Sequence, residues 1–365
     1  MKTETFQLEL ITPCFCGGAE PDMQAEIRAP SIRGQLRWWF RTLGGCKSLA
    51  ATGMSVRAQE AMIFGSAAGD RCVAARLLVR VSRKEVQAVV RDGQELGHPL
   101  YSDAAYLTFP VQSRERHGQP IKHARRGVLL HGGSFDLVIQ WRGPDRIWEE
   151  ILALMMVFAN VGSLGFRGRR AMGALALRPG QATSPPLSES LDRFCDRAAL
   201  DLRAMHAVDR KEAISKLGSW LRGWRAHGRS EDHRKNHGNC NQPPLNTGFH
   251  YAKVDHDIGY HLPASQGRAA FRPALGLPIV QRIRDRTNNW EYGQGTPNHP
   301  KGRFASPVLL RPHRDNQGRW FALVVFVDAR RWPGGKPVFL NGEELNVSLD
   351  LYEAMKRDPV LAAFP

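Results

Sequence analysis

The run Ser163-Leu164-Gly165-Phe166-Arg167-Gly168-Arg169-Arg170-Ala171-Met172-Gly173 sets three arginines among glycines, directly after a strongly apolar helical stretch. Glycine reaches backbone conformations closed to other residues and lets a main chain approach a ligand closely. Successive backbone N–H groups in such a loop can line a concave anion site. Arginine adds a rigid planar fork of donors that matches phosphate. The chemistry these residues suit is polyanion binding, with RNA as the first candidate. The competing reading is a tight structural turn carrying exposed arginines. No Gly-Lys-Ser/Thr follows, so the loop is not a Walker A loop. A helix precedes it and none follows, so it is not a Rossmann fingerprint.

A second cationic feature lies nearer the N-terminus. Pro30-Ser31 reads as a helix start with Ser31 as N-cap, opening a helix over Ile32–Leu43. On it Arg33, Arg37 and Arg41 fall at i, i+4 and i+8 and share a face. Like charges four apart repel mildly. The ladder is therefore either a phosphate track or a solvated face. Leu36, Phe40 and Leu43, with Trp39 beside them, form the apolar stripe, which places Trp39 in the core. Trp38 either stacks on a base or caps the surface. A helix N-terminus adds N–H groups that favour anions.

Catalytic groups are sparse by comparison. Metal-independent RNA cleavage needs a general base near the scissile 2′-OH. His117, His123 and His131 lie in the first domain and could be offered, and Asp22 sits in its first Gly-rich loop. None lies in a recognisable motif, and neither paired carboxylates nor a Ser/His/Asp set stands out. His233, His237 and Cys240, and the pair Cys14-x-Cys16, lack the paired four-ligand spacing of zinc sites. No metal and no cofactor is expected.

The 365 residues carry 51 Lys+Arg against 35 Asp+Glu, a formal charge of +16. That balance favours nucleic acid over an anionic membrane surface as partner. The 42% hydrophobic content is enough for ordinary cores. Ile151 to Val161 is the best apolar run, short of the roughly 18 residues of a membrane helix, and reads as buried helix. No signal peptide is visible, and six cysteines in this length do not make a disulfide framework. The expectation is a cytoplasmic protein without a membrane partner.

Several elements must position these residues. Thr5–Ile11 alternates apolar and polar side chains, as a half-buried strand does. After the loop Cys14–Pro30 and the arginine-bearing helix come strand patterns at Ala75–Val81, Tyr106–Val111 and Ser134–Trp141. A buried helix follows at Ile147–Ala159, then the Gly/Arg loop and a short strand at Ala174–Leu177. This order suits an α+β, ferredoxin-like βαββαβ domain with insertions. The Pro/Ser/Thr break at Gln181–Pro186 predicts two domains, 1–182 and 183–365. The second reads as helical over Leu187–Met205 and Arg210–Ala226, followed by a basic loop His227–Pro244. Ala274–Ile283, Pro307–Arg311, a clear strand Trp320–Val327 and a terminal helix Leu349–Arg357 complete it.

These pieces together resemble a known family. Ile11-Thr12-Pro13, then Gly17-Gly18-Ala19, then Ile27-Arg28-Ala29-Pro30-Ser31-Ile32-Arg33-Gly34-Gln35-Leu36-Arg37-Trp38-Trp39-Phe40-Arg41, is similar to the opening of the first-subunit family of Cmr complexes. These are RAMP proteins of type III-B CRISPR effectors. Gly162–Gly173 resembles the RAMP glycine-rich loop, and Arg303-Phe304-Ala305-Ser306-Pro307 a later family motif. The motifs cover the first half well and the second sparsely. Arg91–Arg126 and His227–Pro244 depart from the family pattern. The resemblance implies two ferredoxin-like (RRM-like) RAMP domains and contact with guide RNA near its 3′ end, with target RNA, or with both. It also implies neighbouring Cmr/RAMP subunits in an antiviral ribonucleoprotein and no nuclease activity. The implied RNA-binding positions are Arg28, Ser31, Arg33, Arg37, Arg41, Gly165, Arg167, Gly168, Arg169 and Arg170. The alternative within the superfamily is a metal-independent guide-RNA-processing endoribonuclease with a histidine base.

Overall fold

The computed structural model describes all residues except 22, 68–71, 92–104, 109–114, 117–118, 121–125, 179–184, 226–248, 262–267, 284–285, 294, 297, 299 and 329–336. The chain forms two compact units, Met1–Leu217 with Leu310–Val325, and Gly218–Leu309 with Phe326–Pro365. His117, His123, Asp22, the break at Gln181–Ser184 and the stretch His227–Pro244 with His233, His237 and Cys240 fall wholly or mainly outside the described residues.

The first unit opens on β1 (Lys2–Leu10), α1 (Ala29–Thr42), α2 (Val56–Phe64), β2 (Leu77–Glu85), β3 (Ser134–Trp141), α3 (Trp148–Val161) and β4 (Leu175–Leu177). The strands pair antiparallel in the order β2-β3-β1-β4. A βαββαβ chain order with this strand order is the ferredoxin-like arrangement. Register follows the alternation of β1. Phe6 faces Leu137, and Leu8 faces Phe135 on one side and Leu177 on the other. Phe6, Leu8 and Leu10 are buried, while the intervening Gln7 and Glu9 are less so. β3 lies between two partners, and every residue but Gln140 is buried. α3 is buried nearly all round, as its apolar composition requires. α1 packs on α2, α3 and β2 through Ile32, Leu36, Trp39 and Phe40.

α1 starts three residues earlier than its sequence indicates. Arg28 is the N-cap, in extended conformation, and Pro30 occupies the first turn, where its missing N–H costs nothing. Ser31 lies inside that turn, its N–H donating to the Arg28 carbonyl at 3.1 Å. Of the strand expected over Tyr106–Val111, the described residues 106–108 lie instead in a helical turn, Ala105–Thr108. The helix expected over Leu187–Met205 ends at Asp192. A 3-10 turn at Arg197–Ala199 follows, and the chain then becomes a strand.

From there the order repeats: β5 (Leu200–Ala207), α4 (Arg210–Arg225), α5 (Phe249–His261), β6 (Ile279–Ile283), β7 (Arg286–Tyr292), β8 (Val308–Arg314), β9 (Trp320–Val327), β10 (Val338–Leu340), β11 (Glu343–Leu345) and α6 (Asp350–Lys356), with a last short strand at Ala362–Ala363. β8, β9 and β5 are neighbours in that order. Without α5, β6, β7, β10 and β11, this is βαββαβ again. The second unit holds the inserted sheet β6-β7-β10-β11, with Ile258, Trp290, Tyr292, Val338 and Leu340 in its core. There too Asp358 accepts both indole N–H groups of Trp220 and Trp224, at 2.9 and 2.7 Å, in a buried position.

Candidate nucleic-acid interface

Three stretches far apart in sequence meet in the first unit. Cys14–Gly18 forms the floor. On one side Phe166 pairs with Phe15, its N–H donating to the Phe15 carbonyl at 2.9 Å. On the other, Glu26 N–H donates to the Cys16 carbonyl at 2.8 Å and Gly18 N–H to the Gln24 carbonyl at 3.2 Å. That brings the Gly/Arg loop and the start of α1 to the two flanks of one segment. The Cys14 and Cys16 thiols hydrogen-bond, which raises the pKa of Cys14 and lowers that of Cys16. The nearby Arg28 charge also lowers Cys16, so Arg28 stands against this floor.

The glycines of the loop serve close approach to the chain itself. Gly165, at φ +76°, would bring a Cβ within 2.6 Å of the Phe15 carbonyl oxygen. Gly173, at φ +64°, leaves no room for a Cβ against the Leu164 carbonyl. The N–H groups of Leu164, Phe166, Arg170, Ala171, Met172 and Gly173 all donate to carbonyls of the protein. Ser163 Oγ donates to the Gly168 carbonyl at 2.7 Å. The loop is thus shaped by its own hydrogen bonds.

Its arginines are also engaged. Arg167, at φ +64°, donates from Nε and Nη2 to the Leu107 carbonyl, the former at 2.7 Å. Arg169 lies over the Trp38 ring, 4.6 Å from its centroid, and burial lowers its pKa to about 10. Arg170 is buried and donates to the Arg169 carbonyl at 2.9 Å. The Arg169–Trp38 stack joins the two motifs singled out in the sequence. In the Trp pair, Trp39 is 1% exposed, as its place in the apolar stripe predicts, and Trp38 carries the cation.

α2 receives the ladder of α1. Arg33 donates from Nη2 to the Phe64 carbonyl at the end of α2, where the helix dipole favours a cation. Arg37 Nε and Arg41 Nη1 share one oxygen of Glu60, at 2.8 and 3.0 Å. Two arginines on one carboxylate leave one positive charge between them, and Arg33, bound to a neutral carbonyl, adds a second. Arg28 and Arg41 keep about half of their side chains in solvent, 46% and 52%. Arg28 is 3.6 Å from Glu26.

β8 supports the loop from behind, which nothing in the local sequence announced. The Leu310 carbonyl accepts Ala171 N–H at 2.9 Å, and Leu310 N–H donates to the Arg169 carbonyl at 3.3 Å. The next residue, Arg311, is 1% exposed and donates to the Ala159 carbonyl at 2.7 Å and to the Leu175 carbonyl. These carbonyls bracket the loop on both sides. His313 Nδ1 lies 3.2 Å from the Asn160 carbonyl. Burial lowers Arg311 to about 9 and His313 to about 3, with Arg311 adding to the latter shift. An arginine directly after the apolar run Val308-Leu309-Leu310 is the one sequence signal that points here.

His131 is exposed in the turn before β3, its pKa lowered by desolvation and by Arg210. Among the described residues no group of three or more His, Cys, Asp or Glu is placed to hold a metal. No helix among them is long and apolar enough to cross a membrane.

Comparison with known proteins gives this arrangement its class. The model of the RAMP superfamily matches residues 7–176, from β1 through the Gly/Arg loop to β4. That stretch, just under half of the chain, is similar to the RAMP superfamily. Within that superfamily its likeness is to Cmr1. It is 27% identical over 184 residues to the CRISPR system Cmr subunit Cmr1-2 of Pyrococcus furiosus, covering 47% of this chain and 94% of that protein. It is 25% identical over 181 residues to Cmr1-1 of the same organism, covering 48% of each. The apo crystal structure of Pyrococcus furiosus Cmr1 shares the fold, with a TM-score of 0.51 at 15% identity over 90% of this chain and 88% of that one.

Proposed function

We propose that this chain is a non-catalytic RNA-binding subunit of a type III-B CRISPR (Cmr) effector complex. It contacts guide RNA near its 3′ end, target RNA, or both, beside other RAMP subunits in antiviral defence. The observation that carries this reading is the RAMP match over residues 7–176, because that stretch contains both the arginine-bearing α1 and the Gly/Arg loop. The similarity to two proteins named as Cmr subunits supports the complex. The charge of +16 supports the polyanion. The repeated βαββαβ order supports two ferredoxin-like domains over 1–182 and 183–365.

The arginines divide by role. Arg28 and Arg41, half exposed on α1, meet phosphates, with Arg37 beside them. Ser31, in the first turn, and the backbone around Gly165 and Gly168 line the same surface. Arg33, Arg167, Arg169 and Arg170 hold the surface in shape through carbonyls and Trp38. Phosphate contacts of this kind position RNA without reading sequence, which base pairing between guide and target supplies.

The test is binding of the full chain to single-stranded RNA across a salt series, with the RNA checked on a gel afterwards. The expected result is steeply salt-dependent binding and intact RNA. Arg28→Ala with Arg41→Ala then flattens the slope of log affinity against log salt by about 1.4, at about 0.7 per phosphate contact for single strands. Cut RNA without added metal overturns the non-catalytic assignment in favour of the endoribonuclease. An unchanged slope in the double variant removes these two residues from the site.

A further inference from the structure

We infer that the open face of the first sheet carries a second track for RNA phosphates, built on Arg76 and Arg142 where β2 and β3 meet at one end, with Arg80 further along β2. The inference rests on the RNA-binding reading above and adds to it a surface outside α1 and the Gly/Arg loop. Side chains alternate between the two faces of a strand. Phe6 and Leu8 of β1, Phe135 and Leu137 of β3, and Leu77 of β2 are buried on the face toward the helices. Arg76, Leu78 and Arg80 therefore share the opposite face with Gln140 and Arg142, and with Thr3 of β1. The three arginines and Thr3 are exposed.

Arg76 and Arg142 stand level with each other. Leu77 faces Trp141 on the last rung of the ladder, and one residue beyond it Arg142 N–H donates to the Arg76 carbonyl at 3.0 Å. Like charges directly opposite on neighbouring strands oppose folding. The acids of this face all lie toward the other end of the strands, and each is already engaged. Glu9 holds Arg314 at 2.7 Å, Asp136 lies 3.6 Å from Arg83, and Glu85 accepts from Ser134 Oγ at 3.3 Å. Among the described residues Arg76, Arg80 and Arg142 have no carboxylate partner. The face is thus divided, with matched charges at one end and unmatched cations at the other. An anion held between the two opposed arginines supplies what the fold leaves out.

Two guanidinium forks from neighbouring strands suit one phosphate. Arg80 follows four residues along β2, about 13 Å away at ~3.3 Å per residue. That distance matches about four stacked nucleotides at ~3.4 Å each. Thr3 and Gln140 lie in the row between, where a hydroxyl and an amide can meet ribose 2′-hydroxyls. The side chains of this part of the face include no aromatic ring to stack on a base. Contact is therefore to the RNA backbone, as befits a subunit that leaves sequence to base pairing. A protein partner would need an apolar centre to its contact. Here Val138 is buried and Leu78 half-buried beneath the cations.

The full chain is titrated with single-stranded RNA across a salt series, and each variant is melted. Arg76→Gln with Arg142→Gln is expected to flatten the slope of log affinity against log salt by about 0.7, the share of one phosphate. Adding Arg80→Gln brings the loss to about 1.4. The melting temperature does not fall, because the opposition of like charges goes with them. Arg76→Lys with Arg142→Lys keeps the slope, since the charges remain. Arg197→Gln with Arg319→Gln, which removes two arginines already paired with carboxylates, also keeps it.

An unchanged slope in the Arg76/Arg142 glutamine variant, while Arg28→Ala with Arg41→Ala lowers it, overturns the track and leaves the reading of α1 standing. An equal loss in the Arg197/Arg319 variant reduces the effect to net charge and overturns the track as well. Where slope and melting temperature fall together, the lysine variant decides: a retained slope supports the track and a lost one assigns the pair to the fold alone. Absence of any binding by wild type overturns both readings.

Discussion

Glu60 illustrates how one side chain changes the meaning of a motif. Arg37 and Arg41 repel each other until a single buried carboxylate on α2 binds both. Glu60→Gln keeps the shape and removes the charge. Two charge-assisted hydrogen bonds weaken, discounted because the arginines are 36% and 52% exposed. Urea denaturation is expected to report a loss of about 1–2 kcal/mol. A variant as stable as wild type would mean that the pair contributes nothing. Asp358 makes a comparable case in the second unit, where it accepts two buried indole N–H groups. Asp358→Ala strands both donors, at about 1–3 kcal/mol each. It should red-shift the emission of Trp220 and Trp224 as water reaches them. Unaltered fluorescence and stability together would refute that role.

Among the elements, β8 carries the most for its length. It binds the Gly/Arg loop through Leu310 and closes the end of α3 and the start of β4 through Arg311. Arg311→Met removes donors from buried carbonyls and is expected to cost about 2–4 kcal/mol. His313 on the same strand gives a pH signature. Its folded pKa is about 3 against a usual 6.5, so it stays neutral when buried. Below about pH 6.5 the unfolded chain takes up a proton that the folded one refuses. Its contribution is whole above that value and is lost as pH falls toward 3, at about 1.4 kcal/mol per unit. The stability gap between wild type and His313→Asn should narrow by that amount per unit between about pH 6 and about pH 4. A constant gap would show that the ring is solvated.

Elements with strong periodicity were legible in advance. Ser134–Trp141 and Trp320–Val327 have the predicted ends, because continuous or alternating apolar residues admit one register. Leu200–Ala207 was not legible, since Asp201, Arg203 and His206 break its alternation into something a helix also accommodates. The α1 start moved because Pro30 belongs in a first turn as readily as before one. The two cationic motifs could be named from sequence, and Cys14–Pro30 only as a loop between strand and helix. Their partners could not, for Glu60, Leu107 and Leu310 lie 19 to 141 residues from the arginines or loop residues they hold, and no local pattern links them.

For the whole molecule the governing quantity is charge. With +16 over 365 residues, binding to RNA should be dominated by counterion release. If about six phosphates are met, a roughly fourfold rise in salt should lower affinity roughly 300-fold. A flat titration would remove nucleic acid as the main ligand. The repeated βαββαβ order is also a whole-molecule property. It escaped the sequence because α5 and the inserted sheet β6-β7-β10-β11 interrupt the second copy. Both copies become visible only when the pairing β2-β3-β1-β4 is set beside β8-β9-β5.

The strand that fastens the Gly/Arg loop is made long after the loop. Residues 163–173 leave the ribosome well before Leu310, Arg311 and His313 exist. A chain halted between those points has the loop's letters without the strand that gives them form. The shape on which the proposed RNA contact depends is thereby tied to the completion of synthesis, and an unfinished copy lacks it.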